Sequence, residues 1–372
     1  MENLPFLIFS LLSINNANLK GHNDFFTDYM DLKNTFSVKG IFVWMIIFKH
    51  YGGYYKRKNK YIFEKILVQI DQKVVSMFLF YSGYGMYESI KKKGNKYAKT
   101  LPIKSLIIFI KSELMILIFV LRRIIYKKEI ILKKYILSVF FYDTMGNSNW
   151  FTYTIIIYYI YAFFSFVFIK NKKYNFLGII IITFICYIHG YFTYFFYLKG
   201  KICGVDNTLS FILGFCYSGI RKYTDKYIMK YDFSYFGILT SFSLMFYYFF
   251  INKHKSIFMH ILMNGSFSII VILMNMKVRF DNEFLKFLNV HSYSIYFLQR
   301  AVLATFYEQK YLQKYECMRQ FLQLGLIIFI STTFDYSTSF IDKFFKRVDK
   351  RFEPKKHIEL VDDTNRNIII KN

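Results

Sequence analysis

Long apolar segments recur along the sequence and constrain its fold more than any other feature. A run of about 18 or more apolar residues is typical of a helix that crosses a membrane. The chain of 372 residues has only three prolines, and no linker rich in glycine and serine divides it. The apolar segments lie at about 36–55, 67–88, 103–121, 150–169, 176–196, 206–220, 233–252, 257–276, 286–306 and 320–341. The sequence therefore predicts an all-α, polytopic membrane protein with about ten transmembrane helices.

The same pattern predicts one membrane domain, 36–341, with a leader before it and a tail after it. The leader, 1–35, has an acidic residue where a signal peptide has basic ones, which predicts an uncleaved segment suited to the membrane interface. The tail, 342–372, is basic and then polar, as is typical of a solvent-exposed segment. Between the third and fourth spans, in 122–149, basic residues alternate with apolar ones. This pattern favours an interfacial amphipathic helix or a re-entrant loop over a full span.

The chain is strongly basic, with a formal net charge of +26. In a soluble protein this charge would indicate a nucleic-acid partner. Here the lysines lie between apolar runs, where anionic lipid headgroups and the positive-inside rule explain them, so no nucleic-acid partner is predicted. Ten spans place both termini on one side of a cell membrane. A cytoplasmic location is favoured because it also places 91–104 and 221–230 inside, although 56–65 and 127–134, also lysine-rich, would then lie outside.

Three ionisable residues, Lys39, Lys49 and His50, interrupt the first apolar segment. Such groups cost about 2.5 to 3.5 kcal/mol each at depth in a bilayer on insertion scales. Lys39 and His50 are eleven residues apart, almost three helical turns, so both project from one stripe about 16 Å in length. A histidine is the usual general base, and a lysine suits the phosphates of an anionic acyl donor such as coenzyme A. An interface anchor for Lys39 and a polar contact between helices for His50 are the alternatives.

The second segment, "FLFYSGYGMYESIKKKGNKYAKTLPIKSL", combines small residues with a cationic loop. Ser82 and Gly83 allow a helix or a ligand to approach closely. The lysines that follow suit either lipid headgroups or a phosphate-bearing donor; those predicted to bind the donor are Lys91, Lys92, Lys93 and Lys104. In the third span, Glu113 is predicted either to orient His50 for catalysis or to pair with Lys111.

Taken together, these motifs resemble those of the acyltransferase family 3 integral-membrane proteins. The resemblance rests on the lysine and histidine of the first span, the SGY-G-x-Y segment and basic loop, "NSNWFTYTIIIYYIYAF", "DNTLSFILGFCYSGI" and "HSYSIYFLQRAV". It covers roughly 30–340 and keeps the order of the family's motifs. It implies O-acetylation of surface polysaccharides.

The resemblance also implies roles for individual residues. His50 corresponds to the family's catalytic histidine, whereas Lys39 and Lys104 stand where arginine is usual and lack its bidentate fork. Ser82 and Gly83 correspond to the Ser-Gly pair. The late motif corresponds to Ser292, Tyr293 and Tyr296, and it ends in Gln299 where many members have histidine.

The predicted function is therefore transfer of an acetyl group from acetyl-CoA, as co-substrate, to a hydroxyl of a glycan or glycolipid, with no metal. A transporter or flippase of lipid-linked saccharides is the alternative. It would predict an internal two-fold repeat and charged residues spread over several spans. The sequence has no clear repeat between 36–180 and 190–341. A glycan polymerase, the third possibility, would be expected to have a long extracytoplasmic loop.

Overall fold

The computed structural model describes 11–54, 62–129, 132–140, 149–192, 207–253, 256–309 and 315–352, together with residues 8 and 146. Predictions that concern the start of the leader, the lysines of 56–61 and the tail from 353 onward lie outside the described residues. The chain is largely helical. Its helices are α1 (Leu32–Tyr54), α2 (Ile62–Lys93), α3 (Asn95–Ala98), α4 (Leu101–Ile125), α5 (Leu132–Val139), α6 (Asn149–Phe166), α7 (Asn175–Phe192), α8 (Thr208–Ile228), α9 (Asp232–Asn252), α10 (Ile257–Lys277), α11 (Glu283–Val290), α12 (Ser292–Glu308) and α13 (Glu316–Phe352).

Four stretches of helix are long and apolar enough to cross a membrane by length and composition. They are Lys172–Tyr191, Asp232–Asn252, Phe258–Lys277 and Cys317–Phe345. Charged and polar side chains lower the apolar character of other long helices, as Lys39, Lys49 and His50 do in α1. Among the described residues, ten helices have 17 or more residues. Each of the ten predicted segments overlaps one of them, while the number that cross a membrane remains a prediction.

One predicted span is divided in two by a turn. The segment 286–306 contains the end of α11 and most of α12, which meet at His291. Asn282 caps α11 by accepting a hydrogen bond from the backbone N–H of Leu285. Helix α11 packs against α1, where a Cβ on Gly40 would lie 2.1 Å from the carbonyl oxygen of Leu285. Since only a glycine allows this approach, Gly40 fixes where α11 crosses α1.

Helix α13 is attached to α12 through a buried polar contact. The Nδ1 atom of His291 lies 2.6 Å from Asp335 Oδ2, and the hydroxyl of Ser294 donates to the other carboxylate oxygen. The helix then continues past residue 342, so the first residues of the predicted tail are helical. Asp342 lies seven residues after Asp335, two turns along the same face.

The leader is joined to the loop that follows α10. Strand β1 (Ala17–Leu19) pairs antiparallel with strand β2 (Val278–Phe280). Arg279 donates to the carboxylate of Asp28, which adds an ion pair to this contact. The described part of the leader therefore packs against the helical domain at the N-terminal end of α1.

Candidate functional site

A cavity of about 590 Å³ lies among α1, α2, α4, α6 and α12, with contributions from α3, α11 and α13. This volume falls within the range of about 300 to 1,000 Å³ that is usual for small-molecule sites. Aromatic and aliphatic side chains make up most of the wall. The polar lining residues are Lys39, Tyr81, Ser82, Tyr97, Lys111, Tyr159, Asn289, Ser292, Tyr293, Tyr296 and Asp342. The predicted Lys39, Ser82 and late-motif residues are thus brought together.

The ammonium group of Lys39 is held in the cavity wall by two aromatic rings. Its Nζ atom lies 4.8 Å from the ring centroid of Phe36 and 5.7 Å from that of Tyr81. Tyr81 is itself fixed, because the amide nitrogen of buried Asn275 donates to its hydroxyl at 2.9 Å. Within the described ranges no carboxylate or hydrogen-bond acceptor contacts Lys39, so the rings alone offset its charge.

The second lysine of the cavity is neutralised. Lys111 Nζ lies 2.7 Å from Asp342 Oδ2, and both residues line the wall. Of the two roles predicted for Glu113, the pairing with Lys111 is therefore replaced by the pair with Asp342. Glu113 is not a lining residue, and its Oε1 atom is enclosed without a hydrogen-bond partner among the described residues. No described hydrogen bond joins it to His50.

His50 lies one turn beyond the cavity. Helix α1 is continuous, and Lys39, Val43 and Ile46 line the wall along the stripe that ends at His50. On α12, which runs in the same direction, Tyr296 lines the wall and Arg300 follows one turn later. His50 and Arg300 then meet, with Nδ1 and NH2 3.4 Å apart. The pair therefore lies about 6 Å further along both helix axes than the last lining residues.

The contact with Arg300 selects one form of the His50 ring. A guanidinium group has donors and no acceptor, so Nδ1 of His50 accepts in this contact. In the neutral imidazole the proton is then on Nε2. The 3.4 Å separation is long for a hydrogen bond, which leaves Nδ1 weakly engaged and open to replacement of its donor.

The two members of the Ser-Gly pair face different surroundings. Ser82 lines the cavity, and its hydroxyl donates to the backbone carbonyl of Phe78 at 2.8 Å. Gly83 instead faces α8, where an added Cβ would lie 2.1 Å from the carbonyl oxygen of Phe211. Gly83 thus packs two helices together and does not border the cavity. Gly85, which lines the cavity, has the position that was predicted for Gly83.

Unlike Lys39, the other predicted donor-binding lysines lie outside the cavity wall. Lys91 donates to Glu88 at 2.6 Å and to the carbonyl of Ser218 at 2.9 Å, so its charge is already engaged. Lys92 and Lys93 are exposed at the end of α2. Their neighbour along the chain, Lys104, is closer to the site: its Nζ atom lies 3.9 Å from the ring centroid of Tyr97, a lining residue.

The late motif contributes three lining residues, Ser292, Tyr293 and Tyr296. The hydroxyl of Tyr293 lies 3.3 Å from the carbonyl of Ile108 and 3.4 Å from Thr152 Oγ1, which ties α12 to α4 and α6. Gln299 is buried away from the wall and donates to the carbonyl of Tyr296.

Sequence reasoning missed two charged residues of this region. Arg300 lies inside a predicted span, where the high cost of a charge is itself a signal of function. Asp342 was assigned to the tail because it follows the last apolar run. The helical spacing of Asp335 and Asp342 would have indicated that the helix continues. Tyr81 and Asn275 carried no comparable signal.

The chain matches no protein-family model, no curated protein and no solved structure. The fold and the site define a largely helical protein with features of a membrane protein. Membership of acyltransferase family 3 remains a prediction.

Proposed function

We propose that this protein is a cell-membrane O-acyltransferase that moves an acetyl group from acetyl-CoA to a hydroxyl of a surface polysaccharide or lipid-linked glycan. The observation that supports it best is the order of residues along α1. A cation without a carboxylate partner in the described structure, Lys39, comes first, an apolar wall follows, and His50 with Arg300 comes last. This order along one helix suits a donor with an anionic head and a long, largely uncharged arm.

In this proposal the donor enters from the Lys39 end. Lys39 and Lys104 attract its phosphates, and the pantetheine arm extends along Val43 and Ile46 toward His50. Lys111 contributes little because Asp342 already neutralises it. A termini-in orientation would place this end at the cytoplasm, where acetyl-CoA is made.

The acceptor approaches from the His50 end. Its hydroxyl donates to Nδ1 of His50 in place of Arg300, and the imidazole removes the proton as the oxygen attacks the thioester carbon. Arg300, released from Nδ1, stabilises the oxyanion of the tetrahedral intermediate. The carbon–sulfur bond then breaks, and the imidazolium returns the proton to the departing thiolate. The products are the acetyl ester and free coenzyme A.

The test is the O-acetyl content of surface glycan from cells that express the native chain, His50→Ala or His189→Ala. His189 is the matched control, because it also lies in an apolar helix but hydrogen-bonds Tyr161 away from the cavity. We expect acetyl esters with the native chain and with His189→Ala, and none with His50→Ala at equal membrane expression. Equal acetylation in all three and in cells without the protein contradicts the proposal. Loss of lipid-linked glycan export would instead favour the transporter.

A further inference from the structure

A basic elbow joins α4 to α5, at the end of the helical domain where His50 lies. We use "elbow" for 121–129 and 132–140. Helix α4 ends in a turn in which the N–H groups of Lys127 and Lys128 donate to the carbonyls of Ile124 and Arg123, both at 2.9 Å. Lys127 has a φ of 50°, a left-handed conformation usually taken by glycine. Two backbone hydrogen bonds therefore end α4 in a defined turn.

The elbow exposes a continuous apolar stripe. Leu132 and Ile136 of α5 and Phe140, the residue that follows its last turn, are spaced by four residues, so they share one face, and they are 65%, 47% and 62% exposed. Exposed apolar residues also end α4, notably Leu121, Ile124 and Ile125. On the opposite side of α5, Ser138 is buried and Tyr135 packs against the core. The helix thus has one face on the protein and one apolar face that no described residue covers.

Basic side chains lie beside this stripe, at the end of α4 and at Lys133, and also on another side of α5, at Lys134, and only some of them are neutralised by the protein. Arg122 and Lys128 share the carboxylate of Glu308. By contrast, Lys127, Lys133 and Lys134 have no carboxylate partner within the described part of the chain. An exposed apolar stripe on a short helix that also carries unneutralised lysines is the pattern of a helix that lies in a lipid headgroup layer.

We propose that the elbow lies in the interface of one membrane leaflet and that Lys127, Lys133 and Lys134 bind the headgroups of anionic phospholipids there. A soluble acidic partner would leave the apolar stripe in water, whereas a leaflet receives both the stripe and the charges. A lysine near such a surface contributes about fivefold in affinity. The inference is independent of the proposed acyl transfer, since it concerns lipid contact alone.

The test uses the full chain reconstituted into vesicles, with Ile136→Trp as the probe. Brominated phosphatidylcholine or brominated phosphatidylglycerol, mixed with unbrominated lipid of the other headgroup, reports which lipid is next to the tryptophan. We expect strong quenching of the added fluorescence, and at least about fivefold enrichment of phosphatidylglycerol at the probe. Lys133→Gln with Lys134→Gln should remove the enrichment and retain the quenching. Lys172→Gln with Lys173→Gln, an equal loss of charge elsewhere, should retain both.

Two results would overturn the inference. If the added tryptophan is not quenched, the stripe does not contact lipid. If the enrichment survives the loss of Lys133 and Lys134, or disappears equally in the control, these lysines do not bind the headgroups. Phe140→Trp on the same stripe provides a second probe should Ile136→Trp not yield folded protein.

Discussion

Gly83 and Gly85 lie two residues apart on α2, and the structure predicts opposite effects when each is replaced by alanine. A Cβ on Gly83 would lie 2.1 Å from the carbonyl oxygen of Phe211, whereas ordinary contact begins near 3.4 Å. Helices α2 and α8 would have to move apart by about 1.3 Å, the difference between these distances. The contact is reciprocal, because a Cβ on Gly214 of α8 would lie 2.2 Å from the carbonyl oxygen of Phe80.

The magnitude follows from two opposing terms. Overpacking of a close-packed interior costs about 1 to 3 kcal/mol, and the helix propensity of alanine returns about 0.5 to 1 kcal/mol. Gly83→Ala should therefore lower the free energy of unfolding by about 1 to 2 kcal/mol. A Cβ on Gly85 would meet nothing within 4 Å, so Gly85→Ala should raise it by about 0.5 to 1 kcal/mol. The two variants should thus differ by about 1.5 to 3 kcal/mol.

Thermal unfolding of the purified chain in detergent micelles tests this difference. We expect the midpoint of Gly83→Ala to fall several degrees below that of the native chain, and that of Gly85→Ala to match or exceed it. Because Gly85 lines the cavity, its variant should bind the acyl donor less well despite its stability. Equal stability of the two variants, or a donor defect confined to Gly83→Ala at unchanged stability, would refute the assignment of Gly83 to helix packing.

Three further predictions concern single charges. Lys39→Met should raise the unfolding temperature while increasing the acetyl-CoA concentration needed for transfer, since it removes a costly cation that only aromatic rings offset; a lower unfolding temperature would contradict this. The hydrogen bond from Lys286 lowers the pKa of Asp281 in the folded protein. The ionised carboxylate therefore stabilises the fold at pH values above its unfolded pKa near 3.9. This contribution is lost as the pH falls from there through the lower pKa of the folded state. Asp281→Asn should accordingly flatten the fall in unfolding temperature between pH 5 and pH 3. Lys127→Gly should stabilise the chain by about 1 kcal/mol in chemical unfolding, because glycine adopts the left-handed conformation without strain.

The apolar pattern predicted where the long helices lie better than where they are interrupted or end. Each predicted segment overlaps a long helix, because a run of apolar residues has to satisfy its backbone hydrogen bonds internally. The pattern did not predict the turn at His291, since α11 and α12 are both apolar and their separation depends on contacts with α1 and α13. It also placed the end of α13 too early, because its final turns are polar and Asp342 finds its partner on another helix.

The candidate site could be predicted in part. The eleven-residue spacing identified the stripe of Lys39 and His50, since helical geometry alone fixes it. Whether a glycine of a helix borders a ligand or a neighbouring helix depends on how the helices pack, which the sequence does not show. Gly83 was predicted to border the cavity, but it contacts α8. One of the two roles predicted for Glu113, pairing with Lys111, differs from the structure for a similar reason: Glu113 is near in sequence, but Asp342 is near in space.

The pairing of β1 with β2 makes closure of one end of the protein a late event in synthesis. Ala17 can pair with Phe280 only after about 260 further residues have been synthesised. At roughly 5 to 20 residues per second, the ribosome needs about 13 to 50 s to produce that partner. During this time Arg279, the ion-pair partner of Asp28, has not yet been synthesised. Helices α1 and α2 are then complete while β1 is still without β2. A nascent chain that stops before β2 would thus leave β1 unpaired, even with the first eight long helices complete.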